Sequence, residues 1–360
     1  GGAAGAPSKL AFAAPDIVEV GRQAYCVVPA NWSKDGRVDV VTVHAGYNPS
    51  PEYKGYYDVW RIVNGKLTIV AGPTSLEASP GAEVQVGGCA TTDLDHDGVV
   101  EVTTFTGNQW IRPGAPIGKA FIDGDACDLD ADGVWEVPLF SAGGKTLTGR
   151  AIESKDGVTW TLGAVAYSLT PPFPYGAPLF GDFDGDGTKD LVLHDVSNTN
   201  QIQFLRAAPG GPQMLPVTVL EDFTSAIVAD MNGDGRADLV GRGKKGYQVA
   251  ISDGKGGVPA QVLFSHAAVE GVAAGDGFSV GDVSGDGRPD LILDSAAGVY
   301  VLESDGPGTW RPVRLAIEWK HWDPSGDLGQ MHLLRIVDMD GDGKNDLVAR
   351  RGLSLVAFRN

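Results

Sequence analysis

The chain has 360 residues, with 28 basic against 46 acidic side chains and a formal net charge of −18. Charge of that sign excludes a protein that holds nucleic acid or an anionic membrane by bulk attraction, and no run approaches the roughly 18 apolar residues of a membrane-spanning helix. The 51 glycines and 22 prolines fit a folded, turn-rich chain with ample material for a core.

In chain order, Gly1 to Pro7 lack the basic and apolar regions of a signal peptide and would suit a mature end left after cleavage. Residues 1–9 are expected to be flexible, and Leu10 to Val20 reads as a strand. Cys26, Cys89 and Cys127 are too few, and too odd in number, for a disulfide framework, and no CxxC spacing occurs. They read as buried small hydrophobes.

One nine-residue pattern, D-x-[DNS]-x-D-G-x-x-[DE], then recurs seven times, its copies starting 62, 35, 54, 48, 52 and 56 residues apart. Each copy follows one apolar strand and precedes another, as Ala177 to Phe180 and Leu191 to His194 flank the fourth. A period of about 50 residues is the length of a four-stranded propeller blade. The expectation is an all-β, seven-bladed β-propeller forming a single domain over residues 1–360. Only two strands follow the last loop, so residues 10–20 are expected to supply the outer strand of the last blade and close the ring. The 35-residue interval points to a second blade reduced to three strands.

A hard cation takes six to eight oxygens, and this pattern offers side chains at positions 1, 3, 5 and 9 with a carbonyl at 7. The ligand sets are Asn31, Ser33, Asp35, Arg37 and Asp39; Asp93, Asp95, Asp97, Val99 and Glu101; Asp128, Asp130, Asp132, Val134 and Glu136; and Asp182, Asp184, Asp186, Thr188 and Asp190. Three more follow: Asp230, Asn232, Asp234, Arg236 and Asp238; Asp282, Ser284, Asp286, Arg288 and Asp290; and Asp338, Asp340, Asp342, Lys344 and Asp346. Glycine at position 6 permits the sharp turn. Zinc would want His or Cys and magnesium a tighter octahedron, so up to seven structural Ca2+ ions are expected. These loops hold 24 of the 46 acidic side chains, so the negative charge is concentrated where ions would sit. The first loop, with two carboxylates, is the weakest site. No bidentate acid stands at position 12, which excludes an EF-hand.

With apolar-Gly-Asp entrances such as Phe180-Gly181-Asp182 and Val280-Gly281-Asp282, the loops resemble the FG-GAP/VCBS repeats of integrin α-subunit propellers and related bacterial and fungal proteins. The resemblance covers nearly the whole chain. It implies Ca2+ as structural cement and a role in adhesion, carbohydrate binding or, in some secreted proteins, polysaccharide degradation.

Gly277 to Gly281 matches a G-x-S-x-G elbow but lies in a strand, and Gly241 to Gly246 matches G-x-G-x-x-G with no helix after it, so both read as decoys. Aromatic residues outside the repeat, Tyr47, Tyr53, Tyr56 and Tyr57 in one segment and Trp319, His321 and Trp322 in another, suit sugar rings, with packing between blades as the alternative use. The expected function is a non-catalytic, extracellular or periplasmic module binding a glycan or another cell-surface ligand. The first alternative is a secreted polysaccharide lyase with a Tyr or His base drawn from His44, Tyr47, His321 and His332; the second is a protein-binding scaffold.

Overall fold

The computed structural model describes residues 12–14, 16–20, 24–33, 35–44, 55–76, 89–92, 101–104, 109–112, 115–119, 127–140, 146–154, 160–172, 178–195, 200–221, 223, 225–243, 246–259, 264–267, 277–295, 298–306, 309–314, 334–351 and 354–360. Among these residues every regular element is a strand. After β1 (Asp16–Glu19), the first sheet is β2 (Ala24–Ala30), β3 (Asp39–His44), β4 (Gly55–Val63) and β5 (Lys66–Leu76). The second is β6 (Cys89–Thr92), β7 (Glu101–Thr104), β8 (Gln109–Arg112) and β9 (Ala115–Lys119), and the third is β10 (Glu136–Phe140), β11 (Leu147–Ser154) and β12 (Trp160–Leu169). The fourth holds β13 (Leu179–Gly181), β14 (Asp190–His194), β15 (Gln201–Arg206) and an outer strand split into β16 (Gln213–Met214) and β17 (Thr218–Val219).

The fifth sheet is β18 (Ser225–Ala229), β19 (Asp238–Gly243), β20 (Gly246–Ala250) and β21 (Phe264–Ala267). The sixth is β22 (Gly277–Gly281), β23 (Asp290–Ser295), β24 (Gly298–Gly306) and β25 (Thr309–Arg314). The seventh combines β26 (Arg335–Val337), β27 (Asp346–Arg351) and β28 (Ser354–Phe358) with β1, which pairs antiparallel to β28 from Asp16 opposite Ala357 to Glu19 opposite Ser354. All seven sheets are antiparallel meanders, a propeller-like architecture.

The short interval does not cost the second sheet a strand. The second sheet keeps four strands because these are only four or five residues long. Among the described residues the third sheet has three strands, β10 to β12, and Cys127 makes a single bridge to Glu136.

Alternation with a period of two places successive side chains of one strand in different interfaces. Leu191 and Leu193 of β14 pack with Cys127, Leu129 and Leu147 of the third sheet, while Val192 between them packs with Phe223, Leu239 and Ala250 on the side of the fifth. Leu291 and Leu293 likewise join Val240 and Val249, whereas Ile292 joins Leu347 and Ala349. Val348 joins Val40, Trp60 and Ala24 of the first sheet, so the seventh sheet packs on the first. Both faces of these sheets are buried, which is why their middle strands are nearly all apolar. First strands stand side by side: β13 by β18, β18 by β22, β22 by β26, β26 by β2, and β2 by β6.

Cysteine use is a second departure. Cys127 is buried, as its reading as a small hydrophobe implies, but Cys26, also buried, is disulfide-bonded.

Candidate metal centre

In the first, second, fourth, fifth, sixth and seventh sheets the acidic loop joins the first strand to the second, so strand pairing fixes its two ends, and the third loop is closed by the Cys127–Glu136 bridge. Glycine at position 6 adopts a positive φ, from 81° at Gly36 to 89° at Gly187, a conformation other side chains rarely take. The turn aims backbone N–H groups inward. In the fourth loop Asp182 Oδ1 accepts from Gly185 N at 2.7 Å and Asp182 Oδ2 from Gly187 N at 2.8 Å. The same pair of bonds recurs at Asp230, Asp282 and Asp338. At position 5, Asp35, Asp132, Asp186, Asp234, Asp286 and Asp342 each accept the N–H two residues on.

The acid at position 9 is buried in every described loop: Asp39, Glu136, Asp190, Asp238, Asp290 and Asp346 are at most 1% exposed. Asp190 Oδ2 accepts from Phe183 N at 3.0 Å and Oδ1 from Ala207 N at 2.8 Å, tying the loop to the third strand of its sheet. Asp238, Asp290 and Asp346 make the equivalent pairs with Met231 and Ser252, Val283 and Ser304, and Met339 and Asn360. Burial raises these carboxyls more than the N–H bonds lower them, and neighbouring carboxylates add to the rise: Asp238 to about 6, Asp190 to about 7 and Glu136 to about 8.

Three loops bring carboxylate oxygens within 4.8 Å of one another: Asp128, Asp130, Asp132 and Glu136; Asp182, Asp184 and Asp190; and Asp338, Asp340 and Asp346. In the third loop, Asp130 Oδ1 and Glu136 Oε1 are buried and accept no hydrogen bond. Orphaned buried carboxylate oxygens in an all-oxygen donor set fit a hard cation such as Ca2+. Burial first, and repulsion among the neighbouring carboxylates after it, raises Glu136 and Asp130, and a bound ion would offset the repulsion.

The remaining loops differ in the charge beside them. In the fourth, Arg206 Nε lies 2.6 Å from Asp184 Oδ2 at an angle that makes an ion pair without a hydrogen bond. In the fifth and sixth, position 3 is Asn232 or Ser284, and Arg236 and Arg288 turn back onto Asp234 and Asp286. In the first, Arg61 of β4 meets both Asp35 and Asp39. Neither Arg61 nor Arg206 belongs to the nine-residue pattern; the one available sign was an arginine set inside the apolar strand Gly55–Val63. Residues 93–100 and the side chain of Glu101 lie outside the described residues.

Of the aromatic candidates, Tyr47, Tyr53, Trp319, His321 and Trp322 lie outside the described residues, as does His332. Tyr56 is half-buried, and Tyr57 is buried with its ring 5.2 Å from that of Trp32. His44 is fully buried: its Nε2 stands 3.0 Å from Asp58 Oδ2 and 3.0 Å from Thr42 Oγ1, which accepts from Trp60 Nε1 at 2.9 Å. A histidine placed in this way ties β3 to β4. Ser279 sits in β22 and donates to Leu334 O at 3.0 Å, so no nucleophile elbow forms there. Gly241 to Gly246 falls on the hairpin of β19 and β20.

No curated protein sequence matches the chain. Among solved structures, BBS1N in complex with ARL6DN, soaked with lead, is similar with a TM-score of 0.54 at 12% identity, over 96% of this chain and 95% of that one. An Agrocybe aegerita lectin recognising non-reducing terminal N-acetylglucosamine gives 0.47 at 20% identity over 90% and 73%. A Penicillium chrysogenum α-L-arabinanase complexed with arabinobiose gives 0.45 at 12% identity over 98% and 99%. At these identities the likeness is one of fold. The profile of the FG-GAP-like repeat matches residues 230–293 and 282–349, and these spans hold the fifth, sixth and seventh acidic loops, so FG-GAP-like repeats are found in this third of the chain.

Proposed function

We propose that the chain is a single seven-bladed propeller, each sheet a blade and β1 closing the last, stabilised by Ca2+ in its acidic loops and serving as a non-catalytic binding module for a glycan or another surface ligand. The observation that carries the metal reading is the third loop, where four acids converge and two buried oxygens accept no hydrogen bond. A bound Ca2+ would supply the charge that lets all four ionise together. The chain's own residues do the rest: the position-1 and position-9 carboxylates hold the turn by backbone N–H groups, and the N–H bonds at position 5 set its curvature.

Burial of His44 and Tyr57 removes one candidate base and one candidate sugar platform from the described surface. The ligand reading rests on the aromatic segments around Tyr47 to Tyr56 and Trp319 to Trp322. An oxidising compartment is supported by the disulfide at Cys26 and by the millimolar calcium that weak loops need. The test is a glycan array probed in Ca2+ and in EGTA, with uronate substrates followed by absorbance. Calcium-dependent retention without new absorbance supports the binding module; unsaturated product would establish the lyase instead; no retention of any glycan would leave a protein ligand as the partner.

A further inference from the structure

We infer that Arg61 is the resident cation of the first acidic loop, so that this loop keeps its shape without metal while its sister loops await an ion. Arg61 Nη1 donates to Asp35 Oδ2 at 2.6 Å, Nη2 to Asp35 Oδ1 at 3.0 Å and Nε to Asp39 Oδ1 at 2.6 Å. These are the only two carboxylates the loop owns, and one guanidinium holds both, Asp35 in the two-pronged geometry that suits arginine. In the fourth to seventh loops the corresponding oxygen of the position-9 acid accepts a backbone N–H, from Ala207, Ser252, Ser304 or Asn360. Only in the first loop, among those described, does a side-chain cation take that place.

Of the loop's other side-chain oxygens, the second carboxylate oxygen of Asp39 is committed as well, while Asn31 Oδ1 is buried and accepts no hydrogen bond. Asp39 Oδ2 accepts from Ser33 N at 2.9 Å and Ser33 Oγ at 2.8 Å, so the serine that would be a ligand points its proton at its neighbour. The third loop, by contrast, keeps bare carboxylate oxygens, at Asp130 and Glu136, where the bare side-chain oxygen of the first loop belongs to a neutral amide. Arg61 is fixed in β4 between the buried Trp60 and Ile62, with its side chain 10% exposed, whereas Arg206, Arg236 and Arg288 are a third to a half exposed and each meets one carboxylate. Displacing Arg61 would leave a mostly buried guanidinium without its two carboxylates, a cost that a weak calcium site does not repay.

The contrast with the other loops rests on the metal reading above; the pairing of Arg61 does not. The test is hydrogen exchange by mass spectrometry on the full chain in Ca2+ and in EGTA, for the wild type, Arg61→Ala and Asp35→Asn. Exchange over residues 31–39 should agree within about two-fold in the two buffers for the wild type, and should quicken about ten-fold in EGTA for Arg61→Ala and several-fold for Asp35→Asn. Asp35 lies at the surface, so Asp35→Asn gives a folded protein to measure even where Arg61→Ala does not. Calcium slowing residues 31–39 ten-fold in the wild type, or wild-type exchange in the folded variants, would overturn the inference. Wild-type loops 182–190 and 338–346 that ignore calcium would instead sink the metal reading, with the two variants still deciding the role of Arg61.

Discussion

The position-9 carboxylates are both pins and charges, and the two roles respond differently to pH. Without metal, Asp238, Asp190 and Glu136 have their carboxyls raised to about 6, 7 and 8, mainly by burial. Between the unfolded value near 4 and these values the folded chain binds more protons than the unfolded one, so its stability falls as pH rises through that window. Metal-free protein should therefore melt at a higher temperature at pH 5 than at pH 8, and the gain on adding Ca2+ should be larger at pH 8; scanning calorimetry at both values measures this. Asp190→Ala would strand the N–H groups of Phe183 and Ala207, and should cost about 2–5 kcal/mol in chemical denaturation. The sequence identified Asp190 as an acid of the loop but not as a pin, because one of its two N–H partners lies seventeen residues away in another strand.

Loops and strands act as a linked set rather than as seven separate turns. Ala237 N of the fifth loop donates to Asp182 O of the fourth, Asn345 Nδ2 of the seventh to Asp282 O of the sixth, and Arg37 Nη2 of the first to Asp340 O of the seventh. The glycine that precedes the loop makes room for this contact. A methyl group on Gly181 would sit 2.6 Å from Ala237 Cβ and from Val228 Cγ1, so Gly181→Ala should cost about 1–3 kcal/mol through overpacking, read from the denaturant midpoint. Here lies the reason for the apolar-Gly-Asp entrances: the motif was legible in the sequence, but its cause belongs to the neighbouring sheet. Strand positions were equally legible, since apolar runs flank each loop, and β27 and β28 fall where two final strands were expected. The four strands of the second sheet were not, because spacing counts residues and cannot tell how short each strand is. Arg61 escaped for a related reason, being 22 residues from Asp39 in sequence and in hydrogen-bond contact with it only after β3 and β4 pair.

At the scale of the whole molecule, the seventh sheet draws on both ends of the described chain, with Ala13 N donating to Arg359 O beyond the β1 and β28 ladder. β1 also reaches the first sheet, where Asp16 accepts from Leu67 N. Deleting residues 1–19 would bare the edge of β28, and should lower the melting temperature and produce concentration-dependent association in light scattering. The direction of that ladder sets how the protein answers a pull. Asp16 stands opposite Ala357, so tension applied before β1 and after β28 arrives at the same end of the pair. Antiparallel bonds loaded from a single end break in succession instead of sharing the load along the strand. Force across this seam meets an unzipping joint, so the sheet that ties start to finish is also the place where the molecule yields first when stretched.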